Sequence, residues 1–150
     1  MSTLLDTNIL TRLAQPSNPH HAFAESATLA LKGRGELLCI VPQNLYEFWA
    51  VATRPIIATN GLGLTVVQAK AEIARIIALF RMFPDTPTIY TEWLRLVETH
   101  DVKGNAAHDA RLVAAMTVHG VAQILTFNGR DFSRYGGVHV TDPLSFAAQP

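Results

Sequence analysis

Between the first two apolar strand-like runs of this chain, Thr3 to Leu5 and Glu36 to Val41, the sequence places two helices and no hairpin turn. Antiparallel neighbours are joined by tight two-residue turns, whereas parallel neighbours need a crossover of a dozen residues or more, usually helical. The order strand, helix, helix, strand therefore predicts an α/β fold around a central, mostly parallel sheet. Within this crossover a helix fits Asn8 to Ala14, and Pro16-Ser17-Asn18-Pro19 breaks it. A second helix begins near His20; Phe23, Ala27, Ala30 and Leu31 share one of its faces, and Gly33 with Gly35 stops it.

The same alternation continues along the chain. Pro42 suits the first turn of a helix over Gln43 to Thr53, which must end before Arg54-Pro55. Leu45, Phe48, Trp49 and Ala52 form its apolar face, and Glu47 points away from it. After a break at Thr59-Asn60-Gly61-Leu62-Gly63, Thr65 and Gln68 have capping-box spacing, and Ala69, Ile73, Ile76, Ile77 and Phe80 repeat at helical intervals. A short strand fits Arg81 to Phe83, a helix Thr88 to Glu98, and another helix Ala106 to His119 with Gly120 as its stop. Val121 to Thr126 reads as a buried strand, Phe132 to Tyr135 as a short helix, and Val138 to Thr141 as the last strand. The 150 residues suit one domain spanning 1–150, and a domain of that size buries about 68–70% of its unfolded surface.

Composition excludes several classes of function. Twelve basic and twelve acidic residues leave a formal charge of zero, so no overall field draws the chain to nucleic acid, although a local basic rim can surround an acidic site. The one cysteine, Cys39, sits inside Leu37-Leu38-Cys39-Ile40-Val41 and reads as a small buried hydrophobe. Apolar runs such as Ile76-Ile77-Ala78-Leu79-Phe80 fall far short of the ~20 residues a membrane span requires. No charged-then-apolar leader opens the chain. A soluble cytoplasmic protein without membrane attachment is expected.

Carboxylates stand where such a fold binds ligands. Asp6 follows the first strand, and in open α/β sheets ligands occupy the crevice outside the carboxyl ends of the strands. A helix cap is the competing role for Asp6 or Thr7. Glu47 lies just beyond the second strand, where a solvated surface glutamate is the alternative. Asp109, Leu112, Val113 and Met116 are spaced i, i+3, i+4, i+7, which puts a carboxylate on a core-facing stripe. An ion pair or a favourable charge at the helix start would also account for it. Asp131 follows Asn128-Gly129 past the strand ending at Thr126, where a local turn competes with a site role. Asp142 belongs to an Asp-Pro turn and is left outside the site.

Acids from four elements repel one another unless protons or cations neutralise them. Hard divalent ions, Mg²⁺ or Mn²⁺, take oxygen ligands and keep several waters, which suits one or two direct carboxylates with others acting through water. The six histidines are scattered, so no zinc-ligand spacing emerges. His108 adjoins Asp109 but points elsewhere on the helix. A glycine-rich phosphate loop, a Gly-x-Ser-x-Gly elbow and internal repeats are all absent from the sequence.

Taken together, Leu5-Asp6-Thr7-Asn8, Glu47, the run His108-Asp109-Ala110-Arg111-Leu112-Val113-Ala114-Ala115-Met116, and Leu125-Thr126-Phe127-Asn128-Gly129-Arg130-Asp131-Phe132 resemble the PIN-domain family over essentially the whole chain. Within it, the chain is similar to the VapC toxins of bacterial type II toxin–antitoxin modules. The resemblance implies a PIN-like α/β/α sandwich and a Mg²⁺- or Mn²⁺-dependent endoribonuclease, held inactive by a small VapB-type antitoxin and acting on RNA. It carries over Asp6, Glu47 and Asp109 as an acidic triad, with either Asn128 or Asp131 completing the site. From the charge arrangement, Asp6 and Asp109 are expected to be direct metal ligands and Glu47 a water-mediated ligand or base. Thr7, Asn8 and Thr126 are candidates for holding carboxylates or waters in place. Arg111, Arg130 and Arg134 are candidates to meet RNA phosphates, with plain surface charge as the alternative for each. A non-catalytic module whose acids receive a partner's arginine, and a small-substrate metal-dependent phosphatase, are the other functions these residues admit. Apolar side chains at Ile56-Ile57 and from Ile73 to Phe80 exceed what one small sandwich covers, so a homodimer is expected.

Overall fold

The computed structural model describes residues 1–57 and 61–146. Five strands, β1 (Ser2–Leu5), β2 (Leu37–Ile40), β3 (Arg81–Met82), β4 (Gln123–Leu125) and β5 (His139–Thr141), make one sheet in the order β3-β2-β1-β4-β5. Every pairing is parallel, with Leu4 opposite Cys39 on one side and Ile124 on the other. Six helices make the crossovers: α1 (Thr7–Leu13), α2 (His21–Gly33), α3 (Pro42–Ala52), α4 (Val66–Leu79), α5 (Pro87–Thr99) and α6 (Ala106–His119). The absence of hairpin turns in the sequence thus corresponds to an all-parallel sheet. Thr59 and Asn60 of the expected break, and residues 147–150 of the expected domain span, lie outside the described residues.

Successive strand side chains point to opposite faces, and the core divides accordingly. Leu4, Cys39 and Ile124 pack with Ile89, Leu96 and the buried face of α6 on one side of the sheet. Leu5, Leu38, Ile40 and Leu125 pack with Ile9, Leu10, Ala27, Phe48 and Ile76 on the other. Helices on both faces explain why these strands are continuously apolar rather than alternating. Cys39 is fully buried, burial pushes its thiol up to about 12, and its Sγ donates to the Thr3 carbonyl at 3.4 Å. It is the small hydrophobe expected.

Local chemistry sets the helix limits. The Thr65 Oγ1 accepts from the Gln68 N–H at 3.1 Å while Gln68 Oε1 accepts from the Thr65 N–H at 2.9 Å, the reciprocal cap read from their spacing. Gly120 ends α6 at φ 69°, a left-handed conformation that favours glycine. One expectation shifts. The short helix placed at Phe132 to Tyr135 is instead a 3₁₀ turn over Gly129–Phe132, closed by the Asp131 N–H on the Asn128 carbonyl and the Ser133 N–H on the Arg130 carbonyl. Gly129 permits the tight approach to β5, because a Cβ there would meet Val140 Cγ1 at 2.8 Å. The earlier turn carries Asp131 on the turn itself rather than ahead of it.

Candidate active site

All the catalytic candidates meet at the carboxyl edge of the sheet. Asp6, Thr7, Asn8, Glu47, Asp109, Asn128 and Asp131 line one open cavity of about 460 Å³ together with Arg12, His20 and Phe127. β1 delivers Asp6 at its end, α3 presents Glu47, the first turn of α6 presents Asp109, and the 3₁₀ turn after β4 brings Asn128 and Asp131. Because β1 is the central strand, its end lies between the crossovers that leave the sheet on either side.

Asp6 caps α1 and also lines the cavity. Its Oδ1 accepts from the Thr7 N–H at 2.7 Å, which caps α1, and its Oδ2 accepts from Thr126 Oγ1 at 2.7 Å and Asn8 Nδ2 at 3.4 Å. Thr126 Oγ1 in turn accepts from the Asn128 N–H at 2.9 Å, and Asn8 Oδ1 accepts from the Phe127 N–H at 3.3 Å. These bonds tie the end of β1 to the loop after β4 and fix the carboxylate's direction. Burial raises the Asp6 pKa against the lowering effect of the Thr126 and Thr7 bonds, and the nearby Asp131 charge raises it further.

Glu47 hangs in a network that the sequence does not announce. Gln43 Nε2 donates to Glu47 Oε1 at 3.1 Å and to the His108 carbonyl at 2.8 Å, and Thr7 Oγ1 donates to the same carboxylate oxygen at 3.4 Å. Asn44, fully buried, donates to Thr7 Oγ1 at 3.3 Å and accepts from the Val41 N–H at 2.9 Å. Arg111 holds the far end of the chain. Its Nη1 donates to Gln43 Oε1 at 3.0 Å and its Nη2 pairs with Asp85 at 3.2 Å. Arg111 is therefore engaged by Gln43 and Asp85 while still partly exposed, and it does not line the cavity that holds the acids. Polar residues at the first turn of a helix pass as ordinary caps in a sequence, which is why Gln43 and Asn44 go unnoticed there. Burial raises the Glu47 pKa, the Asp6 charge adds to this, and the Gln43 and Thr7 bonds oppose it.

Asp109 stands apart from these networks. Among the described residues no side chain donates a hydrogen bond to it. Burial and then the charges of Asp131, Asp6 and Glu47 push its carboxyl from 3.8 up to about 7, with Arg134 opposing them. Arg134 thus acts on the site through its field, while neither Arg134 nor Arg130 lines the cavity. The stripe from Ala110 to Met116 is buried almost all round, and Asp109 marks its half-buried edge where the helix meets the cavity.

The donor set suits a hard cation. Every acid of the cluster offers oxygen, and the burial and repulsion that raise Asp109 are what a divalent charge would offset. Among the described residues no group of three His, Cys, Asp or Glu side chains is drawn in tightly enough to enclose an ion. Zinc, which prefers a closed set of nitrogen and sulfur ligands, fits poorly.

A parallel sheet of this order with an acid cluster at its carboxyl edge defines a class, and comparison with known proteins gives it a name. The PIN domain family model matches residues 3–138, and the chain belongs to that family. It is 27% identical over 146 residues to the ribonuclease VapC48 of Mycobacterium tuberculosis, covering 97% of this chain and 99% of that one. Among solved structures it is similar to VapBC-1 from nontypeable Haemophilus influenzae, with a TM-score of 0.69 at 19% identity over 96% of this chain and 99% of that one. It is also similar to a toxin–antitoxin complex from Klebsiella pneumoniae, with a TM-score of 0.63 at 20% identity over 94% and 97% of the two chains. No described helix is long and apolar enough to cross a membrane.

Proposed function

We propose that this chain is a single PIN domain acting as a Mg²⁺- or Mn²⁺-dependent endoribonuclease, the toxin of a VapBC-type pair whose antitoxin covers the acidic cavity. The observation that carries the reading is the convergence of Asp6, Glu47, Asp109 and Asp131 from four elements on one open cavity. The full-length similarity to a VapC ribonuclease supports the same reaction. Structural ion-pair networks also gather carboxylates, but they pair them with cations, and Arg111 pairs with Asp85 and Gln43 rather than with any of these four acids.

In this reading Asp6 and Asp109 would hold the ion, and Asn128 or Asp131 would complete the site. When bound, the ion supplies a Lewis acid for the phosphoryl oxygen and makes water acidic enough to attack near neutral pH. Thr126 and Asn8 keep Asp6 aimed at the cavity. Glu47, steadied by Gln43 and Thr7, takes the proton of the attacking water as its oxygen bonds to phosphorus, and the bond to the ribose oxygen breaks, that oxygen leaving as a hydroxyl with a proton from solvent water. A polyanion approaching this cavity meets like charge until the acids are neutralised, so substrate binding and metal binding are coupled. An antitoxin segment carrying a basic side chain would occupy the same cavity by charge complementarity.

The test is cleavage of RNA by protein freed of any co-purifying partner. Cleavage that requires Mg²⁺ or Mn²⁺ and disappears in Asp6→Asn is the expected result. Hydrolysis of a small phosphomonoester with RNA left intact would favour a phosphatase, and no metal-dependent hydrolysis would leave the partner-binding module.

A further inference from the structure

An aromatic pair stands on the wall of the same cavity and has no part in holding the acids. The rings of His20 and Phe127 stack with centroids 4.9 Å apart and planes 11° from parallel, and Phe23 meets His20 edge-on at 6.2 Å and 74°. Both stacked rings line the cavity that contains Asp6, Glu47 and Asp109. Their anchoring differs. Phe127 is half-buried, packs against the core cluster of α1 to α4, and is tied through its N–H to Asn8 Oδ1 at 3.3 Å. His20 is exposed, held at the start of α2 by its N–H on Asn18 Oδ1 at 2.8 Å. Phe127 backs one face of the imidazole ring, Phe23 meets the ring edge-on, and His20 remains exposed at the cavity's edge.

We propose that His20, backed by Phe127, is a stacking platform for a nucleobase of the RNA next to the bond being cut. The proposal rests on the ribonuclease reading of the cavity and assigns it a base-binding wall. A single-stranded RNA brings a flat π-face with every nucleotide, and proteins that hold single strands stack those faces on aromatic rings with little regard to sequence. Such a contact matters more here than in a basic groove, because the acids repel the phosphates and the chain has no net charge to attract them. Asn8 links the two functions: its Oδ1 holds the Phe127 backbone while its Nδ2 reaches Asp6 Oδ2. A base on His20 is thereby placed at a fixed offset from the carboxylate that orients the ion.

The experiment uses short single-stranded RNAs carrying the fluorescent base 2-aminopurine at each position in turn, mixed with the full chain bearing Glu47→Gln, which removes the base that activates water but keeps Asp6 and Asp109 to hold the ion, in Mg²⁺. Stacking quenches this fluorophore. Quenching confined to one or two positions is expected, lost on adding His20→Ala and retained with His20→Phe, while thermal melts show all three proteins folded. In the cleavage-competent chain, His20→Ala is expected to raise KM roughly tenfold, the scale of one lost stacked base. Quenching that survives His20→Ala, or that occurs at no position, overturns the platform even if the wild-type chain cleaves RNA. Position-specific quenching in a chain that never cleaves RNA would retain the platform and overturn the nuclease.

Discussion

Neutralising Asp109 separates a catalytic acid from a structural one. Its carboxyl moves from 3.8 in the unfolded chain to about 7 in the metal-free fold, which at 1.36 kcal/mol per tenfold change in ionisation amounts to roughly 4 kcal/mol against the charged form. The side chain is only half-buried, so solvent screening reduces this to about 2 kcal/mol. Asp109→Asn removes that cost and gives up a helix-start charge worth about 0.5 kcal/mol. The net gain is about 1–2 kcal/mol, or roughly 3–6 °C in Tm for a domain of this size. The pH dependence has a definite sign. A carboxyl raised on folding favours the fold below its unfolded value, and that contribution is lost as pH rises through about 7. Metal-free melts should therefore show the two proteins alike near pH 4 and Asp109→Asn increasingly the more stable toward pH 8. Added Mg²⁺ or Mn²⁺ should raise the Tm of the parent chain and leave the variant nearly unmoved. A variant that is less stable at pH 8 without metal, yet responds to metal as the parent does, would refute the assignment.

Gln43→Met keeps the side-chain volume but removes the donor that lowers the Glu47 pKa. The acid limb of the pH–rate profile should move to higher pH, with kcat falling about tenfold and KM little changed; an unaltered profile would remove Glu47's dependence on Gln43. Assembly is tested by light scattering across micromolar concentrations. Ile56 and Ile57 are 75% and 98% exposed, and Ile77 and Leu79 also face solvent, so a dimer is expected, and a monomer throughout the range would refute it.

The fold was legible because its two strongest signals are local: helical periodicity, and the missing hairpin turns between apolar runs. Strand limits differ by one or two residues at an end, because pairing rather than apolarity ends a strand: Val121 to Thr126 is apolar enough to read as one unit, yet β4 holds only Gln123–Leu125. Asp6 stands out at the end of a strand, Asp109 in the first turn of a helix, and Glu47 on the helix that follows β2. Arg111 shows where sequence reasoning stopped. Its partners Gln43 and Asp85 are 68 and 26 residues away along the chain, and nothing local distinguishes an arginine that braces a glutamine from one that meets phosphate. The His20 and Phe127 stack escaped for the same reason, since 107 residues separate rings that fold to 4.9 Å.

Calorimetric titration of Mn²⁺ into the metal-free, partner-free chain at pH 7 probes the acid cluster most directly. Binding is expected with release of protons, because burial and the neighbouring acids keep the Asp109 carboxyl partly protonated well above the usual carboxylate range and an ion requires the carboxylate. Raising the pH to 8 should tighten binding and lessen the proton release, and either Asp6→Asn or Asp109→Asn should weaken it at least tenfold. Binding of equal strength in the parent and both variants, or no binding by the parent at pH 8, would contradict a metal centre built on these carboxylates.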